Sequence, residues 1–378
     1  MSNDTLKDTL NPEDRYEFDK GIDDEDTLSE EHIEEPYDPT KIQVDPLSMT
    51  VLQVMRKVSM GEINLQPDFQ RHVVWDRVRQ SRLIESMLIR IPLPAFYLDA
   101  RNDDEWLVVD GLQRLWTLDH FYNRKDIRLH GLEFLGQLEG RSYDELPRSF
   151  QRQIEETPLS LHVIKPDTPP EAKFAIFYRI NTGGMVLTAQ EIRHCLFQGK
   201  STGLLKDLAE SPEFLDATTR SINTKRMDDR ECVLRYCAFH MKPYTEYKES
   251  DLNKFLSNAM QTINNMSEND IRNLTHSFLR AMVLSKMVFG RHAFRKMFEE
   301  DGYRFPISKS LFEVWSVSLE KFGEDELRAN KDSIVTGFIE KLSGDRNYLE
   351  SFSQGTGGTR RVSKRFQDTI SIIEEALQ

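Results

Sequence analysis

Trp106-Leu107-Val108-Val109-Asp110-Gly111-Leu112-Gln113-Arg114-Leu115 changes period at its middle. Four apolar residues in a row suit a buried strand, and Leu115, Leu118 and Phe121 then recur at the spacing of one helical face. The junction therefore falls on Asp110–Arg114. An acid ends the strand, a glycine lets a ligand approach the backbone, and an amide and a guanidinium open the helix. Such a set suits a phosphate-bearing ligand with a metal ion. Asp-Gly is also among the commonest turn signals, so the junction taken alone reads more readily as a turn than as a site.

Working outward, Pro46 to Met60 reads as a short helix, with Val51, Val54 and Met55 on one side, followed by a turn into an extended Ile63-Asn64-Leu65. Arg77–Arg90 carries Leu83, Ile84, Met87 and Leu88 on one helical face and stops at Ile91-Pro92-Leu93-Pro94, because proline has no amide to donate. Ala95–Leu98 and Trp106–Val109 read as strands joined by a polar turn at 101–104. Residues 125–160 read as a loop with a short helix near Asp144–Glu156, and Leu159–Ile164 as a strand. A helix over Glu171–Ile180 runs into Asn181-Thr182-Gly183-Gly184, and Thr188 with Glu191 has capping-box spacing for the next helix.

Beyond about residue 200 strand signals fade. Ile271, Leu274, Phe278, Met282 and Val283 line one helical face that ends at Gly290, and Phe366, Ile370, Ile373 and Leu377 line another. The order of elements predicts an α+β chain in three parts: a tail over 1–40, a mixed domain over 41–200 and a mainly helical domain over 201–378.

The net charge of -13 is unevenly placed. Residues 1–40 hold fifteen Asp/Glu against Lys7, Arg15 and Lys20, a net -12, which leaves -1 for the other 338 residues. The tail reads as a solvated, disordered leader; the sharper reading is that it mimics DNA charge or masks a basic surface. Cys195, Cys232 and Cys237 have no metal-type spacing and read as structural thiols. With no apolar run of spanning length and no secretory leader, a cytoplasmic protein without a membrane segment is expected.

Three polar clusters sit at element edges: Gln70-Arg71 with Trp75, Asp110–Arg114, and Asn181–Gly184. Asp110 suits a magnesium ion, whose hard oxygen ligands are usually completed by phosphates. Arg71 and Arg114 suit phosphoryl charge, and the amides of Gly183 and Gly184 suit a further oxygen. The basic groups Arg360-Arg361-Lys364-Arg365 and Arg291-His292-Arg295-Lys296 suit phosphate backbone, but a solvated helix end is the preferred reading of each. No Walker-type, zinc or Gly-x-Ser-x-Gly spacing is present.

Taken in order, Ile63-Asn64-Leu65-Gln66-Pro67-Asp68-Phe69-Gln70-Arg71, Trp75, Leu83-Ile84-Glu85-Ser86, Ile91-Pro92-Leu93-Pro94, Asp110–Arg114, Asn181–Gly184 and Leu187–Arg193 resemble the GmrSD-type restriction endonuclease N-terminal domain family over about residues 45–200. The resemblance implies a ParB/sulfiredoxin-like α+β domain whose Asp-Gly-Gln-Gln-Arg motif binds and hydrolyses nucleoside triphosphate in bacterial defence against phage DNA. By position, Asp110 and Arg114 would be catalytic, with Asp110 on the metal. Gln70, Arg71, Gly111, Gln113, Asn181, Gly183 and Gly184 would surround the nucleotide. Leu112 departs from the motif's glutamine and bears on hydrolysis more than on binding. The histidine-centred nuclease motif of many relatives is not recognisable here, so the helical part is expected to be a scaffold or partner-binding domain.

Three functions follow in order of preference. The first is a nucleotide-binding, NTP-hydrolysing regulator that uses Mg2+ and acts with DNA or a separate nuclease. The second is a metal-dependent nuclease built on Asp110 with a second acid such as Glu85 or Glu191. The third is a non-enzymatic DNA- or protein-binding module.

Overall fold

The computed structural model describes residues 22–23, 41–65, 75–102, 104–180, 187–248, 251–300, 302–353 and 355–378. The chain forms two compact units, one of residues 36–187 and one of residues 1–35 with 188–378. The architecture is α+β: a mixed sheet with helices, then a helical part.

The first unit contains β1 (Val44–Thr50), α1 (Val51–Ser59), β2 (Ile63–Asn64), α2 (Arg77–Leu88), β3 (Phe96–Asn102), β4 (Glu105–Asp110), α3 (Leu112–Leu118), α4 (Arg148–Glu156), β5 (Pro158–Ile164) and α5 (Pro170–Ile180). The sheet order is β1-β5-β3-β4-β2. β1 with β5 and β3 with β4 are antiparallel, whereas β3 with β5 and β2 with β4 are parallel. The helix expected from Pro46 is thus a strand as far as Thr50. The reason is local: Thr50 is extended and caps α1, its hydroxyl accepting from Gln53 N while Gln53 Oε1 accepts from Thr50 N at 2.8 Å. A capping box fixes where the helix can begin.

One sheet face carries Phe96, Leu98, Val108, Leu159, Leu161 and Val163 into a core completed by α1, α2 and α3. On β3 the alternate residue Asp99 is buried and takes Lys173 Nζ of α5 at 2.6 Å. Burial pushes the Asp99 carboxyl up and Lys173 pulls it back.

Glu85 of α2 plays a similar anchoring part. Its carboxylate accepts the amides of Glu133 at 3.0 Å, Phe134 at 2.7 Å and Leu135 at 2.8 Å, which fixes the long segment between α3 and α4. That segment has short 3-10 turns at Gly136–Leu138 and Tyr143–Glu145 before α4.

The second unit contains α6 (Ala189–Leu196), α7 (Lys200–Ala209), α8 (Pro212–Ala217), α9 (Asp228–Met241), α10 (Leu252–Asn264), α11 (Glu268–Phe289), α12 (Lys309–Leu319), α13 (Glu324–Ala329), α14 (Lys331–Gly344), α15 (Arg346–Glu350) and α16 (Thr359–Ala376). Its apolar core runs from Phe197 to Ile373 and includes Cys232 and Cys237, both buried free thiols. Through this core passes a chain of buried charges. Glu231 takes Arg193 Nη2 at 3.5 Å, Arg235 Nη2 at 3.0 Å and Lys309 Nζ at 3.2 Å; Glu313 takes Arg235 Nη1 at 3.3 Å and Arg365 Nη2. Burial works against the charged form of Glu231, but Lys309, Arg235 and Arg193 hold its carboxyl well below the usual range.

Arg365 is therefore no solvated helix end. It is fully buried, and Lys364 on the same helix pairs with Asp345 and Asp368, each at 2.7 Å. Among the described residues no helix is long and apolar enough to cross a membrane.

The anchor at Glu85 sets a pH dependence. Burial raises its carboxyl, but the three amides and Arg82 outweigh that and leave it below its ordinary value. Its contribution is therefore complete above the unfolded-state value of about 4.3 and is lost as pH falls through the lower folded value. Urea unfolding of wild type and Glu85→Gln across this acid range should show wild-type stability falling more steeply. Superimposable pH profiles would contradict the anchor.

Candidate functional site

The register of β3 on β4 explains why the junction presents Asp110. Tyr97 pairs with Asp110 and Leu98 with Val108, so Val109 is an extra residue on β4. Such a bulge interrupts strict alternation and re-aims the side chain that follows. Gly111 then caps α3 in the left-handed region, with φ of 99°, where a Cβ would press into the buried Phe96 ring. Glycine is required here on both counts.

Arg114 closes the junction. Its Nη2 donates to Asp110 Oδ2 at 2.9 Å and to the Ala95 carbonyl at 3.1 Å, and Nη1 donates to the Pro94 carbonyl. The guanidinium also lies 4.4 Å above the Phe96 ring centroid. A planar fork with five donors can meet acceptors in three directions, which a lysine cannot. Burial lowers the proton affinity of Arg114 and Asp110 counters it; an arginine keeps its charge throughout.

The pair is unequal in exposure. The Arg114 side chain is 11% exposed and that of Asp110 38%. Asp110 Oδ1 accepts no hydrogen bond from a described residue, so one carboxylate oxygen is held by Arg114 while the side chain stays part-exposed.

Gln113 has a structural attachment. Its Oε1 accepts the backbone amide of Trp75 at 3.3 Å, and the Trp75 carbonyl accepts Gln80 Nε2 at 3.1 Å. Trp75 and Leu112 are both half-buried and pack against the core of the first unit. Gln113 thus ties Trp75, just before α2, to the junction. Gln70, Arg71, Asn181, Gly183 and Gly184 themselves lie outside the described residues.

The acids considered as partners for Asp110 are engaged elsewhere. Glu85 is 3% exposed and holds three amides. Glu191 is 1% exposed, closes the Thr188 capping box by accepting Thr188 N at 2.6 Å, and contacts Arg226 Nε at 3.5 Å. Among the described residues no group of three or more His, Cys, Asp or Glu is arranged to hold a metal ion. A single carboxylate still fits Mg2+ that arrives on a nucleotide, since that ion keeps waters and phosphate oxygens in its shell.

The contacts that the sequence did not reveal are those to Pro94 and Ala95. Their acceptors are backbone carbonyls, which have no side-chain signature. The Pro92/Pro94 pair that ends α2 was the one available hint that an irregular segment with unpaired carbonyls lay there.

Residues 51–198 match the family model described as GmrSD restriction endonuclease, N-terminal domain. The matched range starts at α1, contains the whole Asp110–Arg114 junction and extends through α6. No curated protein and no solved structure matches the chain.

The junction carries a direct test. Gly111→Ala forces a left-handed alanine and a contact with Phe96, so it should destabilise the protein by about 1–3 kcal/mol. A wild-type melting temperature for that variant would contradict the geometry of the turn.

Proposed function

We propose that this chain, which carries a GmrSD-type N-terminal domain over residues 51–198, binds a nucleoside triphosphate with Mg2+ at the Asp110–Arg114 junction. Hydrolysis of that nucleotide regulates action on DNA or on a separate nuclease. The observation that carries the reading is the Asp110 carboxylate, held through Oδ2 by Arg114 at 2.9 Å while its other oxygen has no partner among the described residues. A carboxylate fixed in this way is oriented before its ligand arrives, which lowers the cost of ordering it.

The roles follow from the contacts. Asp110 would hold the magnesium ion, directly or through a water. Mg2+, when bound, neutralises phosphate charge and orients the attacked phosphorus. Arg114 is a positioning residue, because its donors serve Asp110, Pro94 and Ala95. Gly111 keeps the approach to the backbone clear. Gln113 joins this junction to Trp75, and Gln70 and Arg71 are proposed nucleotide contacts on the strength of the family resemblance. Asn181, Gly183 and Gly184 complete the proposed nucleotide contacts on the strength of the family resemblance. The family match supports a place in a restriction system directed against phage DNA. The nuclease alternative is less favoured because Glu85 and Glu191 are both committed to structural bonds.

Phosphate release measured with each of the four nucleoside triphosphates and magnesium tests the reading. Wild type should release phosphate from at least one, and Asp110→Ala should fall to the protein-free background, with circular dichroism confirming that the variant is folded. Equal rates in wild type and Asp110→Ala would overturn it.

A further inference from the structure

The sheet has a second face, and beside Asp110 it carries a row of side chains that take no part in the core. Leu98 on β3 and Leu161 and Val163 on β5 enter the core. The alternate residues Tyr97 and His162 therefore point the other way, as the two-residue period of a strand requires. Register sets them side by side: Tyr97 pairs with His162 on β5 and with Asp110 on β4, and His162 pairs in turn with Pro46 on β1. Directly opposed residues share a face and bring their Cβ atoms to about 5 Å. Pro46, His162, Tyr97 and Asp110 thus form one line across the sheet that ends at the carboxylate.

The two rings in that line are stacked, with centroids 4.9 Å apart and planes 22° from parallel. Pro46 holds the strand position on the far side of His162, so the Tyr97 ring face turned toward β4 is the side of the stack that looks over Asp110. Both rings are half-buried, and neither the Tyr97 hydroxyl nor a ring nitrogen of His162 has a hydrogen-bond partner among the described residues. On the same face Pro46, Ser48 and Ser160 are exposed. The other end of this face is closed, because Lys173 of α5 reaches Asp99 there at 2.6 Å.

We propose that the Tyr97–His162 stack is the platform for the nucleobase of the nucleotide whose magnesium-bound phosphates Asp110 takes. The inference rests on the nucleotide reading of Asp110 and adds the part of the ligand that is not phosphate. Tyr97 supplies the stacking face, which suits any base because every base has a π-face. His162 is a positioning residue: it backs the Tyr97 ring in an offset stack and holds it in place without touching the ligand. The ring and the carboxylate are neighbours across the β3–β4 ladder, so one bound nucleotide can reach both.

Titration calorimetry of the full chain with magnesium separates the two parts of the site. The probes are inorganic tripolyphosphate, which has the phosphates and no base, and whichever of the four nucleoside triphosphates wild type binds most tightly. Tyr97→Leu keeps an apolar side chain on the strand but removes the ring. It should weaken nucleotide binding about tenfold and leave tripolyphosphate binding at the wild-type strength, which also shows that the variant is folded. Tyr97→Phe retains the stacking face and should bind the nucleotide within about twofold of wild type. His162→Ala should weaken nucleotide binding by less than Tyr97→Leu does, again without effect on tripolyphosphate. Nucleotide binding by Tyr97→Leu at the wild-type strength overturns the platform and leaves the Asp110 reading standing. Equal losses for nucleotide and tripolyphosphate, or a Tyr97→Phe variant as weak as Tyr97→Leu, also overturn it. If wild type binds neither probe, the Asp110 reading falls and the platform falls with it.

Discussion

The Arg114 guanidinium is the contact on which the candidate site depends. It joins the start of β3, through the Pro94 and Ala95 carbonyls, to the end of β4, through Asp110, and it rests on Phe96. Each partner constrains another. Phe96 excludes a Cβ at Gly111, the left-handed glycine lets α3 start directly after the bulge, and the start of α3 brings Arg114 back over Asp110. The carboxylate is thereby fixed on one oxygen, the preorganisation on which the proposed ligand contact rests.

The helical unit is organised by charge as well as by apolar packing. Arg193, Glu231, Arg235, Glu313 and Arg365 form a continuous buried chain with side chains between 0% and 7% exposed. Removing one member leaves another as an uncompensated buried charge, which is far costlier than losing an exposed pair. The last residue of the Leu187–Arg193 block belongs to this network: Arg193 pairs with Glu231 and donates to Gln190 Oε1 at 2.9 Å, and Gln190, Glu191 and Arg193 are all buried. From Thr188 onward the block is a structural element of the helical unit, tied to the Arg226 carbonyl by the Thr188 hydroxyl and to Glu231 by Arg193.

The elements with strong periodic or capping signals were legible in the sequence. The strand ending at Asp110, α2, β5, the Thr188 cap and the Gly290 stop of α11 lie where their spacing placed them. The segment from Pro46 was not, because Val51, Val54 and Met55 gave a helical period that concealed the point where Thr50 begins the helix. Arg365 was misread for a related reason. A cation in a basic run has the same sequence signature whether it is solvated or paired, and its partner Glu313 lies 52 residues away. At the site, Asp110, Gly111 and Arg114 were legible as a junction. The division between them, with Asp110 part-exposed and Arg114 bracing it, depended on backbone carbonyls that no residue type announces.

The central claim is that the open oxygen of Asp110 is a ligand contact for magnesium nucleotide. Titration calorimetry of the wild-type chain and Asp110→Asn with nucleoside triphosphate, run with and without magnesium, addresses it most directly. Asparagine retains the size of the side chain and an acceptor for Arg114 but removes the charge that a metal needs. The account predicts magnesium-dependent binding by wild type and its loss in Asp110→Asn at an unchanged melting temperature. Binding that is equally strong in the two proteins, or binding by neither, would contradict it.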